Sequence, residues 1–214
     1  MTPARPLTLG MILTATAGFL DAIGFVALGG YYISFMSGNT TQLGAALPAG
    51  ELGVVVLSAS LVVLFFIGSA LGTLVVLANP RWGAARVSAI IAAGVTVALG
   101  LSLIGLSIPR TMLILALTAG AQNAVLPAHG AVRLGATFVT GTLYAAGQDF
   151  ALALRRLAPP FRWLQHLGVW LSLMGGAALG AFVYRHAGIG ALLIPLIIYT
   201  AFAAANGWIA SQTK

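Results

Sequence analysis

Cysteine is absent from the chain, which excludes disulfides, thiolate metal sites and thiol chemistry. Acids are almost absent: Asp21, Glu51 and Asp149 are the only three in 214 residues. The histidines are as few, His129, His166 and His186, and the sequence places each in a loop or at an interface. A buried serine would then have no base in reach, and the two aspartates lie at different depths, so no carboxylate pair forms. Three scattered histidines make no metal set. The expectation is a protein that is not an enzyme and has no cofactor or metal. Charge of either sign is scarce as well, 6% of residues against about a quarter in soluble domains.

What the chain does have is apolar bulk, with 60% hydrophobic residues and a mean hydropathy of +1.03. Such a chain belongs in a lipid bilayer. Its net charge of +7 does not indicate nucleic acid, because the ten Lys and Arg fall in the gaps between apolar segments. That is the pattern of orientation by positive loops. Near the start, Arg5, "LTLGMILT" and the "ATA" at Ala15 to Ala17 imitate a cleaved secretory signal. The imitation is rejected because the same region carries a motif that returns about a hundred residues later.

Apolar runs long enough to cross a bilayer are read at Leu7–Leu28, Leu52–Ala78, Val87–Ile108, Thr111–Leu126, Trp163–Tyr184 and Gly188–Ile209. The gaps "NPRWG", "SIPR" and "RHAG" carry the Pro, Gly and Arg of short interfacial turns. Two segments stay outside this set, Ile33–Leu47 and Thr137–Leu154.

Three collinear matches point to a duplicated unit. "TAGFLDAI" at Thr16–Ile23 matches "TAGAQNAV" at Thr118–Val125, with Asp21 opposite Asn123. "SFMSGNTTQLG" at Ser34–Gly44 matches "TFVTGTLYAAG" at Thr137–Gly147, with Gly38 opposite Gly141. "GSALGTLV" at Gly68–Val75 matches "GAALGAFV" at Gly176–Val183. The reading is one membrane domain over residues 1–214, with one repeat over 7–108 and another over 111–210.

If the two short segments dip in and return, six spans result and the second repeat is inverted relative to the first. With both termini in the cytoplasm, Arg5, Arg81, Arg86, Arg133, Arg155, Arg156, Arg162 and Lys214 lie inside, leaving Arg110 and Arg185 outside. Full crossing by both segments gives eight spans and a weaker bias, six inside against four outside. The positive-inside rule therefore selects the all-α fold of six spans in two inverted three-helix repeats, each with a short polar half-helix or re-entrant segment. Trp82, Trp163 and Trp208 then fall at the cytoplasmic edge, and Tyr31, Tyr32 and Tyr184 at the outer one. A seven-span arrangement, with one short segment crossing, is the alternative.

Inside such a fold the polar segments are the candidates for function. Gly38 would give backbone freedom, while Asn39, Thr40 and Thr41 would cap a helix running on through Gln42; Thr140, Gly141 and Thr142 would do the same from the other side. Helix starts that approach the midplane from opposite faces can hold a polar or anionic solute. An ordinary outer loop with a capped interfacial helix is the plainer reading. The "NTT" glycosylation match carries almost no weight.

Asp21 is the sharper signal, a carboxylate near the middle of the first span with Ala17, Gly18 and Gly24 beside it. It would carry a proton or bind a cation, or else sit protonated against a neighbour such as Asn123. Asp149 is expected to pair with Arg155 or Arg156, and Glu51 to be solvated. The Gly68/Gly72 and Gly176/Gly180 spacings suit close helix packing, either internal or at a dimer seam. Pro195 suggests a kink in the last span and Asn206 a hydrogen bond near its end.

The stretch "GFLDAIGFVALGGYYISFMSGNTTQLG", followed later by "GAQNAV" and "TFVTGTL", resembles the YoaK family of bacterial membrane proteins, defined by a domain of unknown function. The matching positions are Asp21, Phe35, Gly38, Asn39, Thr40, Asn123, Thr140, Gly141 and Thr142. The resemblance implies a multi-pass protein of the bacterial inner membrane and brings no substrate with it. The expected function is a small secondary transporter of a small polar or anionic solute, with Asp21 carrying a proton or helping to bind a cation. A non-transporting scaffold and a small channel are the rivals. A homodimer is the expected assembly for so small a chain, although no residue fixes the number.

Overall fold

The computed structural model describes residues 3–125 and 139–212. Among them every regular element is helical: α1 (Ala4–Leu28), α2 (Met36–Ala49), α3 (Leu52–Ala78), α4 (Pro80–Leu103), α5 (Ile108–Gln122), α6 (Val139–Leu154), α7 (Arg162–Ala187) and α8 (Leu193–Gln212), with a 3-10 turn at Gly188–Leu192 between the last two. Stretches long and apolar enough to cross a membrane are Ala4–Leu28, Leu52–Ala78, Pro80–Leu103 and Arg162–Gln212, the last of which takes in both α7 and α8. Outward-facing Val56, Val63, Phe66 and Leu74 on α3 are exposed, as expected of side chains that meet lipid.

Local chemistry sets the helix ends. Asn79 caps α4 by accepting from the Trp82 amide at 3.2 Å, with Pro80 in the first helical position, where its missing N–H costs nothing. α1 stops at Gly29, whose φ of 70° is left-handed, and Gly30 follows at 121°. This turn reverses the chain. Pro195 falls in the first turn of α8, where proline is tolerated, and therefore does not sit in the interior of the span as expected.

Glycines set which helices touch. A Cβ on Gly176 would lie 2.0 Å from the Ala15 carbonyl oxygen, and one on Gly180 2.3 Å from that of Phe19. Both contacts advance by four residues, so α7 lies directly on α1 and runs parallel to it. On the other side of the molecule a Cβ on Gly68 would lie 1.9 Å from the Leu117 carbonyl oxygen, and one on Gly72 2.9 Å from the Ala121 Cα, so α3 lies parallel against α5. The small-residue spacings thus form internal contacts. α6 packs on α7, and α2 on α3. α4 and α8 pack together, tied where Arg81 Nε donates to the Ala210 carbonyl at 2.7 Å.

The core between these layers is formed by Leu13, Leu20, Ile23, Ile91, Met112 and Leu115, all at most 2% exposed. A polar cluster crosses it. Gln122 on α5 donates to the Leu13 carbonyl of α1 at 2.8 Å and accepts from the Tyr199 hydroxyl of α8. All three helices are thereby pinned at one buried point, since an unmade hydrogen bond there would be costly.

Candidate functional site

The first polar segment doubles back along α1. After the Gly29–Gly30 reversal, Ile33 packs against Gly24, where a Cβ would lie 2.9 Å from its side chain. Ser34 then reaches Asp21, seven residues before the end of α1, or about 10 Å short of it at 1.5 Å per residue. There the Asp21 Oδ1 accepts from the Ser34 amide at 2.5 Å and from the Phe35 amide at 3.3 Å, while Oδ2 accepts from the Ser34 hydroxyl at 2.7 Å. Asp21 is buried, and its carboxylate receives the backbone donors just ahead of α2. From that depth α2 runs back the way α1 runs: the Gln42 side chain donates to the Gly30 carbonyl at 2.5 Å, just past the end of α1.

This geometry corrects the expected cap. α2 begins at Met36, so Asn39, Thr40 and Thr41 lie within its first turns and do not cap it. Asn39 is fully buried and exchanges two hydrogen bonds with Tyr32, accepting from its amide at 3.0 Å and donating to its carbonyl at 2.8 Å. Thr40 and Thr41 are exposed, and Thr41 donates to the Ser37 carbonyl at 2.9 Å. Gly38 gives closeness, not freedom: a Cβ there would lie 2.8 Å from the rings of Tyr32 and Phe35.

In the second segment the described part of α6 covers Val139–Leu154, and the sequence match sets Val139 against Met36. Thr140 and Gly141 are exposed and Thr142 is buried. Thr137 and the end of the fourth expected span at Leu126 fall outside the described residues, as do His129, Arg133 and Lys214. Asn123 lies half-buried at the end of α5.

A cavity of about 620 Å³ opens between α1, α7, the loop before α2 and the start of α6. Asp21 and Gly18 of α1 line it, with Tyr32 and Phe35 of the first segment and Val139, Thr140 and Leu143 of the second. From α7 come Trp170, Leu173 and Arg185. The structure thus brings Asp21 and Thr140 to one cavity. It leaves Gly38, Asn39, Thr40, Thr41, Asn123, Gly141 and Thr142 outside the lining. Sequence reasoning missed Trp170 and Arg185, which neither short segment contains. The glycine spacing that seats α7 on α1 was the available signal.

A second polar cluster joins α6 to α7. Arg162 forks onto Asp149, with Nε to Oδ2 at 2.6 Å and Nη2 to Oδ1 at 2.5 Å, and His166 Nε2 lies 3.2 Å from Oδ2. The guanidinium holds the Asp149 carboxyl below its ordinary value. The partner is therefore Arg162, because helical packing sets α7 beside Asp149, and not Arg155 or Arg156. His166 is corrected too: it lies within α7, is buried, and its Nδ1 has no hydrogen-bond partner among the described residues.

The helices and their lipid-facing surfaces define a polytopic α-helical membrane protein. The chain belongs to the family described as "Protein of unknown function (DUF1275)", whose model matches residues 9–205. It is also similar to the UPF0700 transmembrane protein RA0705 of Rhizobium meliloti (strain 1021), 32% identical over 199 residues, covering 89% of this chain and 83% of that protein. The resemblance to a bacterial membrane family defined by a domain of unknown function holds. No solved structure matches the chain.

Proposed function

We propose that this protein is a small secondary transporter of the bacterial inner membrane, built from two inverted three-span repeats with cytoplasmic termini. It passes a small polar solute through the cavity beside Asp21. The observation that carries this reading is the cavity wall: it takes residues from the starts of both polar segments, Phe35 from one and Thr140 from the other, and sets the buried Asp21 between them.

The direction of the helices supports the repeats. α2 leaves the depth of Asp21 the way α1 runs, as a re-entrant half-helix does and a returning span does not. α1 and α7 run parallel, which fits six crossings and conflicts with seven, where they would oppose. Asp21 changes the choice of solute. Its carboxylate already occupies the donors before α2, so that helix start does not hold an anion, and an anionic solute loses half of the site expected for it. Asp21 serves as the proton-coupling group. No enzymatic role is proposed, since His166 is tied to Asp149 and does not line the cavity.

A scaffold is the second reading, favoured by the three hydrogen bonds through which Asp21 fixes the segment ahead of α2. Labelling decides between them. With no native cysteine present, Thr140→Cys is exposed to a membrane-impermeant thiol reagent from each side in turn. A transporter gives labelling from both sides at rates that shift oppositely when the pH gradient is reversed. Absence of labelling from either side, with loop controls reacting, refutes transport through this cavity.

A further inference from the structure

The cavity holds charges of both signs, and their spacing is legible from the helix pair that bears them. Gly176 seats on Ala15 and Gly180 on Phe19, offsets of 161 between the parallel helices α1 and α7 (176 − 15 and 180 − 19), while Gly18 seats on Leu173, an offset of 155 (173 − 18). These offsets set Asp21 level with residues 176–182, and Arg185 stands three to nine residues beyond (185 − 182 and 185 − 176), or about 5–14 Å along the axis. Both side chains line the same space, Asp21 buried in the wall and Arg185 exposed at the rim.

The carboxylate borders the cavity. Oδ1 accepts from the Ser34 and Phe35 amides and Oδ2 from the Ser34 hydroxyl, and the Ile33 amide also donates to this carboxylate. These donors are neutral, so the negative charge of Asp21 calls for a cation. The remaining wall is apolar and aromatic: Phe25, Tyr32 and Phe35 form a continuous ring cluster with centroids 5.5 and 5.1 Å apart, and Trp170 and Leu173 line it from α7.

Resting on the transport reading above, we infer that the cavity binds a zwitterionic solute with an aromatic or bulky apolar body, an amino acid or close analogue, its ammonium on Asp21 and its carboxylate on Arg185. A ligand with one charge leaves the opposite group in the cavity without a counter-charge or facing its own sign. Only a ligand bearing both satisfies both, and the mismatched group is what discriminates. A volume of about 620 Å³ lies within the range of small-molecule sites.

The test is binding to the full-length protein in detergent, followed by calorimetry, with three probes that share an indole: L-tryptophan, tryptamine and indole-3-propionate. L-Tryptophan is expected to bind at least tenfold more tightly than either relative. Arg185→Gln should erase its advantage over tryptamine, and Asp21→Asn its advantage over indole-3-propionate. Because Arg185 is exposed, its replacement leaves the fold intact and keeps the test decisive even where Asp21→Asn fails to fold. Equal binding of the three probes, tighter binding of a singly charged one, no binding by any, or a preference unchanged in Arg185→Gln overturns the inference. Zwitterion binding in a protein whose Thr140→Cys is reached from one side alone would keep this site and refute transport.

Discussion

Gly18 and Gly120 occupy matching positions in α1 and α5, and each lies against a backbone carbonyl of a helix from the other half of the chain. A Cβ on Gly18 would stand 2.3 Å from the Leu173 oxygen, and one on Gly120 2.1 Å from the Phe65 oxygen. Neither oxygen can move without shifting its helix. Gly18→Ala and Gly120→Ala should therefore each destabilise the protein by about 1–3 kcal/mol through overpacking. Gly44→Ala and Gly147→Ala, where nothing lies within 4 Å, should be neutral or stabilising by up to about 1 kcal/mol. Thermal unfolding in detergent compares the four, and equal melting temperatures would disprove the close packing.

Asp21 should matter to the first segment in proportion to the acceptors removed. Asp21→Asn keeps one oxygen for the Ser34 and Phe35 amides, whereas Asp21→Leu leaves both without it. Each unanswered buried donor costs about 1–3 kcal/mol. The Leu variant should therefore melt well below the Asn variant, and proteolysis should first cut between Gly29 and Met36. Indistinguishable melting curves would refute the docking role.

The Arg162–Asp149 fork should couple α6 to α7. A double-mutant cycle with Arg162→Ala and Asp149→Ala should give a coupling of about 1–3 kcal/mol, favoured by an Asp149 side chain only 8% exposed. The folded carboxyl titrates below its ordinary value of 3.8, so the contribution is fully present above that pH and is lost as pH falls through the lower, folded value. Arg155→Ala, measured alongside, should change stability little. A coupling near zero would show the fork to be incidental.

Tyr199→Phe should cost about 1–3 kcal/mol, because the Gln122 oxygen loses its donor in the core. The double variant Gln122→Leu with Tyr199→Phe should be less destabilised than the sum of the two single ones, since no orphaned acceptor remains at that pair. Strict additivity in chemical denaturation would show that the two side chains act separately.

The membrane class was legible in the sequence because it rests on composition, and helix positions were legible because apolar runs and their Pro, Gly and Asn stops are local. α3 and α7 fell where the runs predicted, and the Gly68/Gly72 and Gly176/Gly180 spacings announced close packing. The start of α2 was misplaced because the donors just ahead of it are answered from a distance: Asp21, thirteen residues before Ser34, does the work that Asn39 was expected to do.

The sequence by itself determined that the chain lives in lipid, where its long apolar helices lie, and that Asp21 is out of place among apolar neighbours, for each follows from the cost of putting a residue in hydrocarbon. Only the tertiary structure decided which polar groups meet. α7 reaches α1 across 155 to 161 positions of sequence (173 − 18 to 176 − 15) through glycines that admit a carbonyl, and this contact carries Trp170 and Arg185 to the cavity of Asp21. Nothing local distinguishes Arg185 from any other interfacial arginine. Its place on the cavity that Asp21 also lines is a product of helix direction and register, and these are fixed by packing alone.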